Sequence, residues 1–168
     1  MDSIIIFCAK YLIVLVGVLW VAAWYLAPRN SKMRFILATV LAGIIALILS
    51  RIAGKLYFDP RPFVREHVTP LISHAPDNGF PSDHALLTMT LTAVTYFFSK
   101  KIAYGMLAAT ILVGVARVLA KVHSPIDIAG AWVLGVIGAI AGFCAANWAW
   151  KHYIQKHEAG TDIKATHD

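Results

Sequence analysis

The sequence predicts an all-α integral membrane protein, a compact bundle of about five transmembrane helices, or six helical segments in all, with one outer loop. Hydrophobic residues make up 59% of the 168 positions, and charged residues only 14%. This balance lies outside the range of soluble globular domains. The apolar residues also fall in long runs, and a helix of about 20 apolar residues crosses the roughly 30 Å hydrocarbon core of a bilayer.

Five apolar runs are predicted to cross the membrane: residues 3–26, 33–56, 85–98, 102–120 and 126–150. The third run is short, so its helix is predicted to begin within the turn at 81–84 or to extend through Lys100. The first run could be a signal peptide, but it is too long and has no basic residues before it, which favours a retained helix. The runs predict one transmembrane domain over residues 1–150 and a cytoplasmic polar tail over 151–168.

Basic residues predict the orientation of the bundle, because short loops rich in Lys and Arg stay in the cytoplasm. Three clusters follow the first, third and fifth runs: Arg29, Lys32 and Arg34; Lys100 and Lys101; Lys151, Lys156 and Lys164. The N-terminus and the loops 59–82 and 121–125 are therefore predicted to face outward, with a cytoplasmic C-terminus. Although the net charge is +6, these residues form no continuous patch of the kind that binds nucleic acid.

The loop 59–82 is the one long polar segment, and it holds five of the seven prolines. Each proline removes a backbone donor and disfavours helical angles in the residue before it, so this segment cannot be one regular helix. Loops of this length are usually lids, binding elements or disordered segments. We predict an outer loop that folds over the bundle, above a candidate active site.

Ser124, Pro125 and Asp127 have the order of a helix start, with a capping hydroxyl, a proline at the first position and an acid at the third. Asp127 could therefore be a capping carboxylate. Its spacing of four from His123 also lets the carboxylate accept the imidazole proton, which would fix one tautomer and leave the other nitrogen free to attack. Arg117 is placed to reach the same mouth, although a purely structural arginine would snorkel or pair with a carboxylate.

A second polar turn, Pro81 to His84, lies at the start of the third run. The proline ends the loop, and Ser82 or Asp83 can cap the helix that follows. Free N–H groups at a helix N-terminus, beside the Ser82 hydroxyl, make a ready anion site. His84 could donate a proton to a leaving oxygen, or it could be no more than a polar residue near a cap.

Lys55 and Arg61 add two cations at the outer end of the second run. Two cations alone are a weak signal. Together with Arg117, the Ser82 turn and two histidines they indicate a phosphoryl site, because each oxygen of a phosphate in transfer needs a donor or a positive charge. Charged side chains near hydrocarbon are costly unless paired or hydrated, which favours a functional role. The polar residues therefore predict an enzyme at the membrane surface.

These motifs resemble the three signatures of the type 2 phosphatidic acid phosphatase family, K-x6-R-P, P-S-G-H and S-R-x5-H-x3-D. The counterparts here are Arg61-Pro62, the P-S-D-H turn at 81–84, and the run from Arg117 through His123 to Asp127. With the spans between them, the motifs cover roughly residues 33–150.

Three positions depart from the family pattern. Lys55 is one residue closer to the R-P pair than the pattern asks, Ala116 replaces a serine, and Asp83 replaces a glycine. The first change makes the role of the lysine less secure, and the second removes a hydroxyl from the expected phosphate site. The third adds a carboxylate that repels phosphate unless it is neutralised or turned away.

The aspartate variant, with Y-F-D-P-R-P-F at 57–63 and G-F-P-S-D-H at 79–84, is similar to the bacitracin-resistance branch of that family, bacterial undecaprenyl-diphosphate phosphatases. The resemblance implies metal-independent, cofactor-free cleavage of the terminal phosphate of an isoprenyl diphosphate lipid at the outer face of the plasma membrane. It implies His123 as nucleophile, Asp127 as its support, and His84 as acid and then base. The implied substrate-binding residues are Lys55, Arg61, Ser82, Asp83 and Arg117.

Other functions stay open at this point. Another lipid phosphatase of the same family, acting on phosphatidylglycerophosphate, phosphatidic acid or a shorter prenyl diphosphate, would carry the same catalytic residues. A proton-coupled transporter would place polar residues at midmembrane depth, whereas here they crowd at one end. A non-catalytic scaffold would not need two histidines beside three cations. Cys8 and Cys144 are interpreted as core or lipid-facing residues. The roles of His67 and His74 stay open, and both could be simple surface residues. The sequence leaves the oligomeric state open.

Overall fold

The computed structural model describes the backbone of residues 1–165 and the side chains of residues 1–153. Within that range the chain forms six α-helices: α1 (Asp2–Leu26), α2 (Lys32–Leu56), α3 (Pro62–Arg65), α4 (Asp83–Tyr96), α5 (Lys100–Leu119) and α6 (Pro125–Ala165). A single 3-10 turn, Arg29–Ser31, joins α1 to α2. The all-helical bundle expected from the apolar runs is thereby confirmed.

Four of the five apolar runs form helices long and apolar enough to cross a membrane: Asp2–Leu26, Arg29–Leu56, Lys100–Leu119 and Pro125–Tyr153. The third run differs, because α4 has only 14 residues. At the helical rise of 1.5 Å per residue it is roughly 21 Å long, shorter than the hydrocarbon core. It begins within the P-S-D-H turn, as expected, and it ends before Lys100. The last helix continues past residue 150 to Ala165.

The short helix α4 lies at the centre of the bundle, where it contacts α1, α2, α5 and α6. Its buried threonines satisfy their hydroxyls within the helix, and Thr90, Thr92 and Thr95 each donate to the carbonyl four residues earlier at 2.7 Å. The Thr92 hydroxyl also lies 3.0 Å from that of Thr110 on α5. Contacts with four other helices and satisfied polar groups explain how a short, threonine-rich helix is stable inside an apolar bundle.

Small residues let α2 and α6 approach closely. A Cβ built on Gly138 would lie 2.8 Å from the Ala46 Cβ, and one built on Gly142 would lie 2.6 Å from the Ala42 Cα. Both alanines are buried in the core. Small residues spaced four apart are a common basis of helix packing in membranes, because they allow backbones to come into van der Waals contact.

The two ends of the bundle can be defined by the residues that pack there. At the end that holds the N-terminal part of α1, Ala9 packs with Ile72 of the long loop and with Ala116 and Ala120. We call this the outer end. At the opposite, inner end, the Arg34 guanidinium lies 5.7 Å from the centre of the Phe98 ring. The side chains of Lys156 and Lys164, which belong to the third basic cluster, lie outside the described residues.

Candidate active site

A cavity of about 460 Å³ opens at the outer end of the bundle. Its wall includes six of the eight residues for which the sequence predicts a site role: Lys55, Arg61, Asp83, His84, Arg117 and His123. These residues come from α2, the long loop, α4, α5 and the α5–α6 turn. The fold therefore brings both candidate catalytic histidines and three candidate cations to one pocket. Asp127 lies behind His123, and Ser82 is not part of the cavity wall.

The imidazole of His123 has two acceptors at its Nδ1 atom. The Gly79 carbonyl oxygen lies 2.9 Å away, and Asp127 Oδ2 lies 3.3 Å away. Because neither neighbour can donate, Nδ1 carries the proton. Asp127 Oδ2 also accepts the Ser124 backbone N–H at 2.8 Å, and the Ser124 hydroxyl lies 3.4 Å from the Asp127 nitrogen. The capping and histidine-orienting interpretations of Asp127 thus describe the same carboxylate.

The other imidazole nitrogen, Nε2, faces two guanidinium groups. Arg61 Nη1 and Arg117 Nη2 each lie 3.3 Å from it. Guanidinium nitrogens only donate, so Nε2 presents its lone pair to them. The ring is nearly buried, at 3% exposure, and so are both arginines. The site therefore offers an unprotonated nitrogen between two fixed positive charges, which is a suitable place for a phosphate under attack.

The electrostatics favour the neutral form of His123. Burial lowers its pKa below the usual 6.5, and the cations Arg117 and Arg61 lower it further. The hydrogen bond and the charge of Asp127 act in the opposite direction. Since only neutral imidazole has a lone pair to attack with, the lowered pKa keeps the candidate nucleophile in its reactive form.

Residues of the long loop and of the α5–α6 turn form hydrogen bonds with both arginines. Arg61 donates from Nε to Asp77 Oδ1 at 2.7 Å and from Nη1 to the Val122 carbonyl at 2.8 Å. The Nη2 atom of Arg117 donates to Nε2 of His74 at 3.0 Å. Burial, followed by the nearby cations, lowers the pKa of His74 to about 4, so this ring is a neutral acceptor. The hydrogen bond from Arg61 lowers the pKa of Asp77.

Sequence reasoning missed two residues of the site, His74 and Asp77. From the sequence His74 could be a simple surface residue, but it is half-buried in the cavity wall, with its ring centre 6.0 Å from that of His123. Both residues lie in an irregular loop whose pairings are set by distant parts of the chain. Their one sequence signal was that they lie in the polar segment expected to cover the site.

Asn78 fastens this loop to the end of α2. Its Oδ1 atom accepts the backbone N–H groups of Asp59 and Phe80, both at 3.0 Å. Its Nδ2 atom donates to the carbonyls of Gly54 at 2.9 Å and Tyr57 at 3.0 Å. One side chain thus holds together the beginning of the loop, at Asp59, and its end, at Phe80. Both points lie beside Gly79, the residue whose carbonyl orients His123.

Asp59 supports the start of α6 from the same side. Its Oδ2 atom accepts the Ser124 hydroxyl at 2.5 Å, and Arg65 lies 3.5 Å from its Oδ1 atom. The Asp59 side chain is buried. Because Ser124 directly follows the candidate nucleophile, this contact holds the turn that carries His123.

The three remaining predicted binding residues differ in exposure. Ser82 is fully buried at the start of α4, and its hydroxyl has no hydrogen-bond partner among the described residues, so the side-chain cap expected there is not formed. Its backbone nitrogen instead donates to the Asp127 carbonyl at 3.3 Å. Lys55 and Asp83 are exposed in the cavity wall. Over residues 1–153, no cluster of three or more His, Cys, Asp or Glu side chains has the geometry of a metal site.

Comparison with known proteins identifies the family. Residues 31–151 match the model of the PAP2 superfamily. The chain belongs to the PAP2 superfamily. This confirms the resemblance drawn from the sequence motifs, and the matched range includes every candidate site residue.

Two curated relatives cover most of the chain. It is 32% identical to the undecaprenyl-diphosphatase BcrC of Bacillus subtilis over 82% of this chain and 70% of the relative. It is also 32% identical to the bacitracin transport permease protein BcrC of Bacillus licheniformis, over 87% and 72% of the two chains.

A solved structure shares the fold. The first transmembrane PAP2-type phosphatidylglycerolphosphate phosphatase from Bacillus subtilis superposes with a TM-score of 0.58 at 16% identity, over 92% of this chain and 77% of that one. The family, these relatives and the apolar helices together make the chain a multi-pass membrane protein and a membrane lipid phosphatase.

Proposed function

We propose that this protein hydrolyses the terminal phosphate of undecaprenyl diphosphate, giving undecaprenyl phosphate and inorganic phosphate, through a phosphohistidine on His123. The observation that carries the proposal is the environment of the two imidazole nitrogens. Nδ1 is held as a donor by Gly79 and Asp127, while Nε2 faces Arg61 and Arg117. The choice of substrate rests on the 32% identity to a relative named undecaprenyl-diphosphatase.

In the first step Nε2 of His123 attacks the terminal phosphorus. A P–N bond forms, the bond from phosphorus to the bridging oxygen breaks, and the leaving oxygen belongs to the lipid monophosphate. His84, protonated when substrate binds, gives its proton to that oxygen. Asp127 and the Gly79 carbonyl stabilise the positive charge that develops on the ring of His123.

In the second step water replaces the histidine on phosphorus. Neutral His84 takes a proton from the water, whose oxygen attacks the phosphorus as the P–N bond breaks. Inorganic phosphate leaves, and His123 returns to its neutral form with the proton on Nδ1. His84 regains the proton that it needs for the next cycle, so the protons balance over the two steps.

Fixed cations hold the phosphate oxygens in this scheme. Arg61 and Arg117 already flank Nε2, and Lys55 lies exposed in the same cavity wall. The free N–H groups at the start of α4 are proposed to complete the binding set with Ser82, whose buried hydroxyl has no hydrogen-bond partner among the described residues. Asp83 lines the same cavity. Since these groups neutralise the phosphate charge, the reaction is expected to proceed without a metal ion.

The active site is proposed to face the extracytoplasmic side of the bacterial plasma membrane. The cavity lies at the end opposite the Arg34–Phe98 contact, and basic loops stay in the cytoplasm. The C-terminus of α6 is then cytoplasmic. An outward site fits the recycling of the cell-wall lipid carrier that the sequence resemblance implies.

The deciding experiment measures phosphate release from undecaprenyl diphosphate by purified protein in EDTA. The parent should be active, and His123→Ala should lose activity by several orders of magnitude. His152→Ala is the matched control, because His152 is an exposed histidine on α6 that lies outside the cavity wall and contacts the carbonyl and the ring of Trp148 on its own helix. When the terminal phosphate of the substrate is labelled, an alkaline quench should leave the label bound to the parent protein.

Activity that EDTA abolishes and magnesium restores would contradict the metal-free scheme.

The same experiment separates the alternatives. A preference for phosphatidylglycerophosphate or phosphatidic acid over isoprenyl diphosphates would reassign the substrate while keeping the chemistry. Transport, which the name of the Bacillus licheniformis relative suggests for that protein, predicts no phosphate release. The described charged residues of the site lie together at the outer end of the bundle, which favours hydrolysis over passage across the membrane.

A further inference from the structure

A second, apolar groove runs from the candidate active site along the bundle between α2 and α4. It has a volume of about 380 Å³, and its wall includes Thr39, Gly43 and Leu47 of α2 and Leu87 and Leu91 of α4. From Thr39 to Arg51 the groove follows α2 for roughly 18 Å at the helical rise. Its outer end and the polar cavity share two residues, Arg51 and Asp83.

We propose that Arg51 is a specificity-determining residue, which binds the lipid-linked phosphate of a diphosphate substrate while the isoprenyl chain leaves through the α2–α4 groove. This inference rests on the function proposed above. A substrate with its terminal phosphate at His123 and its chain in the groove must pass the junction between cavity and groove. The phosphate next to the chain then lies beside Arg51.

The other cations of the cavity are less suited to this phosphate. Arg61 and Arg117 are fixed at Nε2 of His123, where the terminal phosphate binds. Lys55 lies one turn beyond Arg51 on the same face of α2, but it lines the polar cavity alone. Arg51 is therefore the cation, among the described residues, that borders both the polar and the apolar part of the path.

Arg51 is also available for a ligand. It is exposed, and no other described residue forms a hydrogen bond or an ion pair with it. A charged side chain in an otherwise apolar stretch of α2 is costly unless it is hydrated or paired. A phosphate is a natural partner, because a planar guanidinium can donate two parallel hydrogen bonds to its oxygens. Arg51 would also offset the repulsion that Asp83, across the junction, exerts on a diphosphate.

The test compares a diphosphate and a monophosphate that carry the same farnesyl chain. A monophosphate has only the phosphate that reacts, so it leaves the Arg51 position without a partner. Arg51→Gln should reduce kcat/KM for the diphosphate by roughly 10- to 100-fold, the range of a lost charged hydrogen bond. For the monophosphate, kcat/KM should change less than about 3-fold. Where its turnover is too slow to measure, its inhibition constant is measured instead and should change by no more than that. Arg51→Lys should restore part of the loss.

Lys10→Gln is the matched control, because Lys10 is an exposed cation on α1 that does not line the cavity or the groove. It should leave both substrates unchanged. An equal loss on both substrates, or no loss on either, would overturn the role of Arg51. If the parent released no phosphate from either lipid, the proposed function would fail, and this inference with it.

The exit of the chain has its own test. A Cβ on Gly43 meets no described atom within 4 Å, so Gly43→Leu fills the groove without a backbone clash. It should raise KM for undecaprenyl diphosphate much more than for a short, water-soluble diphosphate. Gly105→Leu, at a similarly open position on α5, should change neither. An unchanged chain-length preference in the Gly43→Leu protein would exclude the groove as the path of the isoprenyl chain. The reason for placing the second phosphate at Arg51 would then be lost as well.

Discussion

At the scale of single residues, Gly79 has a specific reason to lack a side chain. A Cβ at this position would lie 2.7 Å from Asp127 Oδ2 and 3.2 Å from the Asp59 carbonyl oxygen. Gly79→Ala should therefore displace the Asp127 carboxylate and the carbonyl that orients His123. We expect kcat to fall on the order of 100-fold, with the fold retained, because small misplacements of a reacting group are costly.

Steady-state kinetics and thermal unfolding of the Gly79→Ala protein check this expectation. Gly105→Ala is the control, since a Cβ at Gly105 meets no described atom within 4 Å. A Gly79→Ala enzyme with parental kcat would show that the placement of Asp127 does not matter for the reaction.

The pH dependence of the reaction tests the charge state of His123. Burial and the neighbouring arginines lower the pKa of His123, so its neutral form should persist below pH 6.5. On the acid side of the profile, the rate of phosphoenzyme formation should fall as the pH drops through this lowered pKa. Arg61→Gln removes one of the cations that lower the pKa, so the acid limb of the profile should move to higher pH, whatever the loss in rate.

Phosphoenzyme formation measured across pH 4 to 8 checks this prediction. Lys10→Gln, which removes a charge outside the cavity, should leave the position of the acid limb unchanged. An acid limb that stays in place in Arg61→Gln, or one that lies above 6.5 in the parent, would show that another group controls the rate.

Local spacing explains which parts of the site the sequence could predict. His123 and Asp127 are four residues apart around a helix start, so their contact follows from helical geometry and capping rules. The Gly79 carbonyl, by contrast, is 44 residues from His123 in the chain. No periodic pattern encodes that pairing, which depends on how Asn78 fastens an irregular loop to α2.

At the scale of helices, the close contact of α2 and α6 is expected to set much of the stability. A Cβ on Gly142 would lie 2.6 Å from the Cα of Ala42, a backbone atom that cannot rotate away. Gly142→Ala should therefore destabilise the fold by about 1–3 kcal/mol, even though alanine is the better helix former. Gly17→Ala, where a Cβ meets no described atom within 4 Å, should be neutral or slightly stabilising.

Thermal unfolding in detergent compares the two glycine variants. Equal stability of the Gly142→Ala and Gly17→Ala proteins would show that α2 and α6 can separate without cost.

Helix positions followed from the apolar runs wherever the run was long, except at the end of the fifth run, where α6 continues to Ala165. The first, second and fourth runs predict helices whose ends lie within two residues of those observed. The third run was harder, because α4 lies among four other helices and carries buried threonines rather than a long lipid-facing surface. Hydropathy measures how apolar a segment is, and a central helix can be as apolar as a membrane-spanning one. Only the length of the run distinguishes the two.

At the scale of the whole molecule, the fold fixes which groups share an end but not which leaflet they face. The candidate site lies beside the N-terminal part of α1, and Arg34 with Phe98 lies at the other end. The distribution of Lys and Arg supplies the missing direction, since basic loops remain in the cytoplasm. Orientation is thus a property for which the sequence is more informative than the fold.

That orientation can be measured by labelling single cysteines in intact cells. Ser73 is exposed in the long loop at the outer end, and Asn30 is exposed in the α1–α2 turn at the inner end. With Cys8 and Cys144 replaced by alanine, Ser73→Cys should react with a membrane-impermeant maleimide in intact cells. Asn30→Cys should react only after the cells are permeabilised, because its loop carries the first basic cluster. The reverse pattern would place the cavity in the cytoplasm, where a lipid diphosphate outside the cell could not reach His123.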